Sequence, residues 1–169
     1  MKKETKKVEK KTEKKAAEQP AQMESPLQIS AQYIKDLSFE APGMPFVVGQ
    51  IKEAPKVDIG ININAACVNK EQKLFTVELE LKINAKSGDM VAFICELTYG
   101  ALVRLSVSEE HIQPLLLIEV PHLMFPYVRS IIANTTRESG MVPLTLAPID
   151  FAALYRSRML KEQQEKKAN

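Results

Sequence analysis

The chain is predicted to fold as an α+β domain in which strands come first and helices follow. Three observations predict it. Period-two alternation of apolar and polar side chains recurs in four segments that end by Leu105. Turn residues, above all Ser87-Gly88-Asp89, give a hairpin signal between the last two. After Val107 the apolar period lengthens to that of a helix.

The first strand is expected over 27–41. From Tyr33 it alternates, with Tyr33, Lys35, Leu37 and Phe39 on one face and Ile34, Asp36, Ser38 and Glu40 on the other. Pro42-Gly43-Met44-Pro45 must then turn the chain, and Phe46-Val47-Val48-Gly49 is an apolar piece in a loop rich in Pro and Gly. The second strand is expected over 56–68 and the third over 74–85, where Val77, Leu79, Leu81 and Ile83 alternate with Glu78, Glu80 and Lys82. In the fourth, 90–105, Ala92, Ile94, Glu96 and Thr98 fall opposite Phe93, Cys95, Leu97 and Tyr99. Short links between strands predict a four-stranded antiparallel meander.

Ser108 is placed to cap a helix whose first turn carries Glu109 and Glu110. The apolar run 115–118 lies among Pro114, Pro121 and Pro126, which predicts a kinked, broken helical region rather than a straight rod. Val128, Ile131, Ile132 and Thr135 keep helical spacing, and Gly140 is a C′ stop. An extended link over 141–148 leads to Asp150, the cap of a last helix in which Phe151, Leu154, Tyr155 and Met159 share a face.

A length of 169 residues suits one domain with tails. The expected division is a disordered Lys-rich extension over 1–26, a folded domain over 27–160 and a flexible tail over 161–169. The net charge of +2 hides a segregation, with +4 over 1–19, +3 over 156–169 and −5 between them. Partners therefore meet an acidic body and basic ends separately. The basic extension is read first as a solvated tail with no specific partner, contact with RNA or anionic lipid being the alternative; the acidic body opposes a nucleic-acid binder. Lysines at the N-terminus are followed by no apolar h-region, and no apolar run approaches the ~20 residues of a membrane span, so a soluble, cytoplasmic chain is expected.

Little chemistry is visible. His111 and His122 have no ligand partner at metal spacing, and Cys67 and Cys95 belong to no CxxC pair. No nucleophile elbow, P-loop or dinucleotide fingerprint occurs, and Asp36 and Glu40 on a solvated strand face lack the burial that tunes a catalytic carboxyl. Neither an enzyme nor a cofactor or metal site is expected. The strand pattern instead points to surfaces. If the apolar sides all face one way, the sheet turns an acidic face with Ile94 in it towards water. That is the ordinary charged side of a half-buried sheet, or a docking surface for a basic partner. The run 115–118, apolar all round, needs burial on more than one side, which self-association through the helices would supply.

Four segments resemble those of SecB protein-export chaperones of proteobacteria. They are Tyr33-Ile-Lys-Asp-Leu-Ser-Phe-Glu-Ala-Pro42, Ala92-Phe-Ile-Cys-Glu-Leu97, Leu123-Met-Phe-Pro-Tyr-Val-Arg129 and Leu144-Thr-Leu-Ala-Pro-Ile-Asp-Phe-Ala-Ala-Leu154. Their order and spacing agree across 28–160. The resemblance implies a cytoplasmic homotetramer, a dimer of dimers with helices between outward-facing sheets, that needs no cofactor. It implies an ATP-independent holdase that binds unfolded preproteins and passes them to SecA, the translocase motor.

By alignment of the matched strands, the SecA-binding residues correspond to Asp36, Glu40, Ile94 and Glu96. Cys95, Leu97 and Tyr99 match positions that affect assembly, and Leu116 in the apolar helix joins them as an interface candidate. Client-binding candidates are Phe46, Val47, Phe125, Phe151, Leu154 and Tyr155. The alternative is a SecB-like chaperone devoted to one client, such as an antitoxin. The Lys-rich first 22 residues and the short, mildly basic C-terminal tail depart from the family pattern.

Overall fold

The computed structural model describes residues 25–50 and 54–168; the Lys-rich extension lies outside the described residues up to Glu24. The elements are β1 (Leu27–Glu40), α1 (Phe46–Gln50), β2 (Lys56–Asn69), β3 (Leu74–Ser87), β4 (Met90–Leu105), α2 (Glu109–Pro114), a π-helical turn (Leu115–Glu119), α3 (Val120–Glu138) and α4 (Phe151–Ala168).

All strand pairs are antiparallel, but the order is β1-β4-β3-β2. The expected meander holds only for β2, β3 and β4. β1 lies beside β4, a Greek-key arrangement. The reason is the link over 41–55, too long for a hairpin. It joins Glu40 on one edge strand to Lys56 on the other, at the same end of the sheet and roughly 14 Å apart across three strand spacings. Gly88 at the β3–β4 hairpin adopts φ +59°, which a residue without Cβ takes at no steric cost.

One face of the sheet is closed by the helices. Val77, Leu79, Leu81, Ile83 and Ala85 of β3 and Phe93, Cys95, Leu97, Tyr99, Ala101, Val103 and Leu105 of β4 are buried there. They meet Leu116, Val120, Met124, Phe125, Val128 and Ile132 from the helical layer.

The helical region is not broken. α2, the π-helical turn and α3 form one continuous helix over Glu109–Glu138. Pro114 and Pro121 bracket the π-helical turn, in which the Val120 N–H reaches five residues back to the Leu115 carbonyl. The wider turn absorbs backbone that has lost proline donors. By length and composition alone this helix could cross a membrane. Its apolar stripe is instead packed on the sheet, as in the core helix of a soluble protein.

Ser108 occupies the N-cap position, but its hydroxyl bonds His111 Nδ1 at 2.8 Å rather than a backbone N–H. α3 ends in a Schellman motif. Gly140 N–H donates to the Arg137 carbonyl, Met141 N–H donates to the Thr136 carbonyl, and Gly140 has φ +82°. The buried Thr136 hydroxyl donates to the Ile132 carbonyl and accepts from Leu144 N–H, both at 2.9 Å. This ties the following link to the core. Asp150 caps α4 as expected, its Oδ1 accepting from Ala153 N–H at 2.8 Å. α4 runs on to Ala168, through most of the segment read as a flexible tail.

Candidate functional site

The face turned away from the helices is read from the register. Four rows cross it: Tyr33–Gly100–Glu78–Asn64, Asp36–Thr98–Glu80–Asn62, Ser38–Glu96–Lys82–Gly60 and Glu40–Ile94–Asn84–Asp58. Asp36, Glu40, Ile94 and Glu96 therefore share one face, as the alternation of β1 and β4 predicted.

The reading of β1 needs correction before Asp36. Register shifts leave Ser30 and Lys35 as extra residues opposite β4. Each extra residue inverts the alternation behind it. Leu37 and Phe39 do face the helices, and Phe39 stacks on Phe93 at 5.4 Å. Tyr33 and Lys35 do not. Tyr33 lies over Gly100, where a Cβ would stand 2.6 Å from its ring. Lys35 Nζ pairs with Glu78 Oε1 at 2.6 Å, while Ile34 turns inward opposite Tyr99.

The outer face is acidic yet partly compensated. Its four rows hold Asp36, Glu40, Asp58, Glu78, Glu80 and Glu96 against Lys82, with Lys35 reaching Glu78 from the bulge. Lys82 Nζ lies 3.2 Å from Glu96 Oε1. Glu80 accepts from Asn64 Nδ2 at 2.7 Å and Asn62 Nδ2 at 3.1 Å. The hydrogen bond that Lys35 donates to the Glu78 carboxylate holds its ammonium pKa above the ordinary range. Among the described residues no cation pairs with Asp36 or Glu40, which stand on the free edge strand.

The helix side of β1 carries a second surface. Ile34, Leu37, Leu123 and Tyr127 are exposed there. A recess lined by Gln32, Ile34, Tyr99, Tyr127 and Ile131 opens between β1 and α3. The residues read as interface candidates lie deeper. Cys95, Leu97 and Leu116 are buried inside the protomer, and Tyr99, almost wholly buried, forms the floor of this recess, stacked on Tyr127. Burial pushes the Cys95 thiol up to about 11, and the charge of Glu96 adds to the effect. Alternation alone did not reveal the exposed patch, because Ile34 and Leu37 come to one face only through the Lys35 bulge.

At the opposite edge, a cleft of about 400 Å³ lies between β2, the π-helical turn and α4. Ile61, Ile63, Leu117, Leu154 and Tyr155 supply apolar walls, and Ser157, Arg158 and Lys161 the polar rim. Arg158 Nη1 donates to the Ile63 carbonyl at 2.9 Å and ties α4 to the strand. Of the client candidates, Leu154 and Tyr155 line this cleft, and Phe46 is exposed elsewhere on α1. Val47, Phe125 and Phe151 are buried, which corrects their reading as lining. Phe151 sits edge-on between Phe125 at 5.8 Å and His122 at 5.0 Å, wedging α4 against α3. Among the described residues no three His, Cys, Asp or Glu form a metal-binding group.

A sheet armoured by helices on one side, with an acidic outer face, an exposed apolar patch and an edge cleft, defines a protein whose working parts are surfaces. Comparison with known proteins says which. The family model described as "Preprotein translocase subunit SecB" matches residues 19–163. The "Protein-export protein SecB" of Rhodospirillum rubrum is 44% identical over 142 residues, covering 84% of this chain and 88% of that one. Its namesake in Hyphomonas neptunium is 47% identical over 133 residues, 78% of each chain. In fold, the chain resembles a SecB-like chaperone of Mycobacterium tuberculosis, solved with a ChAD peptide from the HigA1 antitoxin. The TM-score is 0.63 at 14% identity, covering 73% of this chain and 91% of that one. The chain belongs to the SecB family of protein-export chaperones.

Proposed function

We propose that the protein is an ATP-independent holdase of the cytoplasm that keeps preproteins unfolded and delivers them to SecA. The observation that carries this reading is the apolar cleft beside the free edge of β2. An extended chain can place apolar side chains against Ile61, Ile63, Leu117, Leu154 and Tyr155 there. Such contacts read apolarity rather than sequence, as a binder of many clients requires. Preferential binding of unfolded chains draws down their folded and aggregated populations by mass action, without fuel.

The second surface supports assembly as a homotetramer, a dimer of dimers. β1 is an unpaired edge strand flanked by Ile34, Leu37, Leu123 and Tyr127. A second copy would cover both the edge and the patch. Several clefts on one assembly let a long client bind at many points, so weak sites gain avidity. Asp36, Glu40, Ile94 and Glu96 on the outer face form the docking surface for SecA, with Ile94 as apolar anchor.

The test is dilution of a slow-folding preprotein from denaturant without ATP, read by light scattering. Suppression of aggregation that saturates near one tetramer per client is expected. A folded, tetrameric protein that suppresses nothing contradicts the reading and favours a single dedicated client.

A further inference from the structure

We propose that the chain's own Lys-rich N-terminal segment, residues 1–24, docks on the outer face of the sheet and competes there with a basic partner. The occupant is suggested by charge and by connection. Residues 1–24 carry eight lysines against five glutamates, and the lysines fall in doublets at 2–3, 6–7, 10–11 and 14–15. The four central rows of the outer face carry six carboxylates against one ammonium group, Lys82, with Lys35 beside them at the bulge. The other strand cations lie towards the ends of the sheet, Arg104 at one and the Lys56–Lys86 pair at the other.

The segment leads into β1, whose exposed edge holds Asp36 and Glu40, unpaired among the described residues. Twenty-four residues reach up to about 80 Å when extended. A 14-residue strand is about 45 Å long, so the whole face is within range. Tethering also supplies the high effective concentration that lets individually weak charge contacts form.

Competition with a partner rests on the docking reading of this face given above; the contact itself does not, and the experiment reads the contact alone. A nitroxide is attached to the full chain at Thr12→Cys in a Cys67→Ser background. Cys95, enclosed in the core, does not take the label. Methyl resonances are then recorded for Ile94 and Leu102 on the outer face and for Leu116 and Ile132 on the helix side. At about 0.01 M salt, where the Debye length is about 30 Å, Ile94 is expected to lose most of its intensity while Leu116 and Ile132 keep theirs. At about 1 M salt, with a Debye length of about 3 Å, the loss should vanish. It should vanish also when all eight lysines are replaced by Gln. The proposal is overturned if Ile94 is unaffected, if the helix-side methyls fade as much, or if the loss survives either treatment. Loss of Ile94 intensity with unchanged binding of a basic partner after deletion of 1–24 would keep the contact and remove the competition.

Discussion

The two faces of β4 use the same strand for opposite ends. Cys95, Leu97 and Tyr99 point into the helices and are closed from solvent, while Ile94, Glu96 and Thr98 point away and remain partly open. Neighbouring residues in one strand thus answer to different demands. The inner set must fill space at close-packed density, where a lost methylene is felt. The outer set is free to carry charge, because its side chains keep their water. A strand in a half-covered sheet can therefore hold a stable core while its other side varies for recognition.

The sharpest break of this comparison is a pair of truncations on β4. Leu97→Ala opens a cavity beneath the long helix and is expected to cost about 2–5 kcal/mol. Ile94→Ala on the outer face should cost less than about 1 kcal/mol. Urea unfolding at one fixed protein concentration checks both, since the proposed assembly would link stability to concentration. Equal losses would erase the distinction between faces.

A second variant sharpens the comparison at β1, where the inner face runs past the helical cover. Leu37→Lys leaves the protomer folded but should shift the assembly towards smaller species, read by sedimentation. An unchanged mass would place the self-association surface elsewhere.

The smallest effect concerns the two thiols. Cys67 is exposed and Cys95 buried. A thiol reagent near neutral pH is expected to modify one cysteine per native chain and two after denaturation. The raised Cys95 pKa carries a linkage sign. The contribution of Cys95 to stability should be flat below pH 9 and fall as pH rises from 9 towards 11, because the thiolate formed by unfolded chains is disfavoured in the core; comparison with Cys95→Ser isolates it.

Much of this was legible in the sequence. β3 and β4 have regular alternation, so inner and outer sets follow directly, and the Ser87-Gly88-Asp89 turn and the Asp150 cap are local signals. What escaped depends on pairing between distant segments. The bulges at Ser30 and Lys35 exist only relative to β4, and no period within β1 announces them. The place of β1 beside β4 is likewise a long-range choice. Three prolines predicted a broken helix because proline removes donors locally. The π-helical turn and packing on the sheet keep the helix continuous. At the site, the outer residues were found by alternation and resemblance together. The exposed apolar patch and the β2 cleft needed the third dimension.

The central claim is that client holding and motor docking occupy different surfaces of one chaperone. Its most direct test is a crossed pair of variants, each measured for SecA binding and for suppression of preprotein aggregation. Glu96→Lys, on the outer face, should weaken SecA binding about tenfold, equivalent to about 1.4 kcal/mol, and leave suppression intact. Leu154→Asp, in the β2 cleft, should impair suppression and leave SecA affinity unchanged. Both activities falling together in either folded, tetrameric variant, or SecA affinity unmoved by Glu96→Lys, would contradict the account.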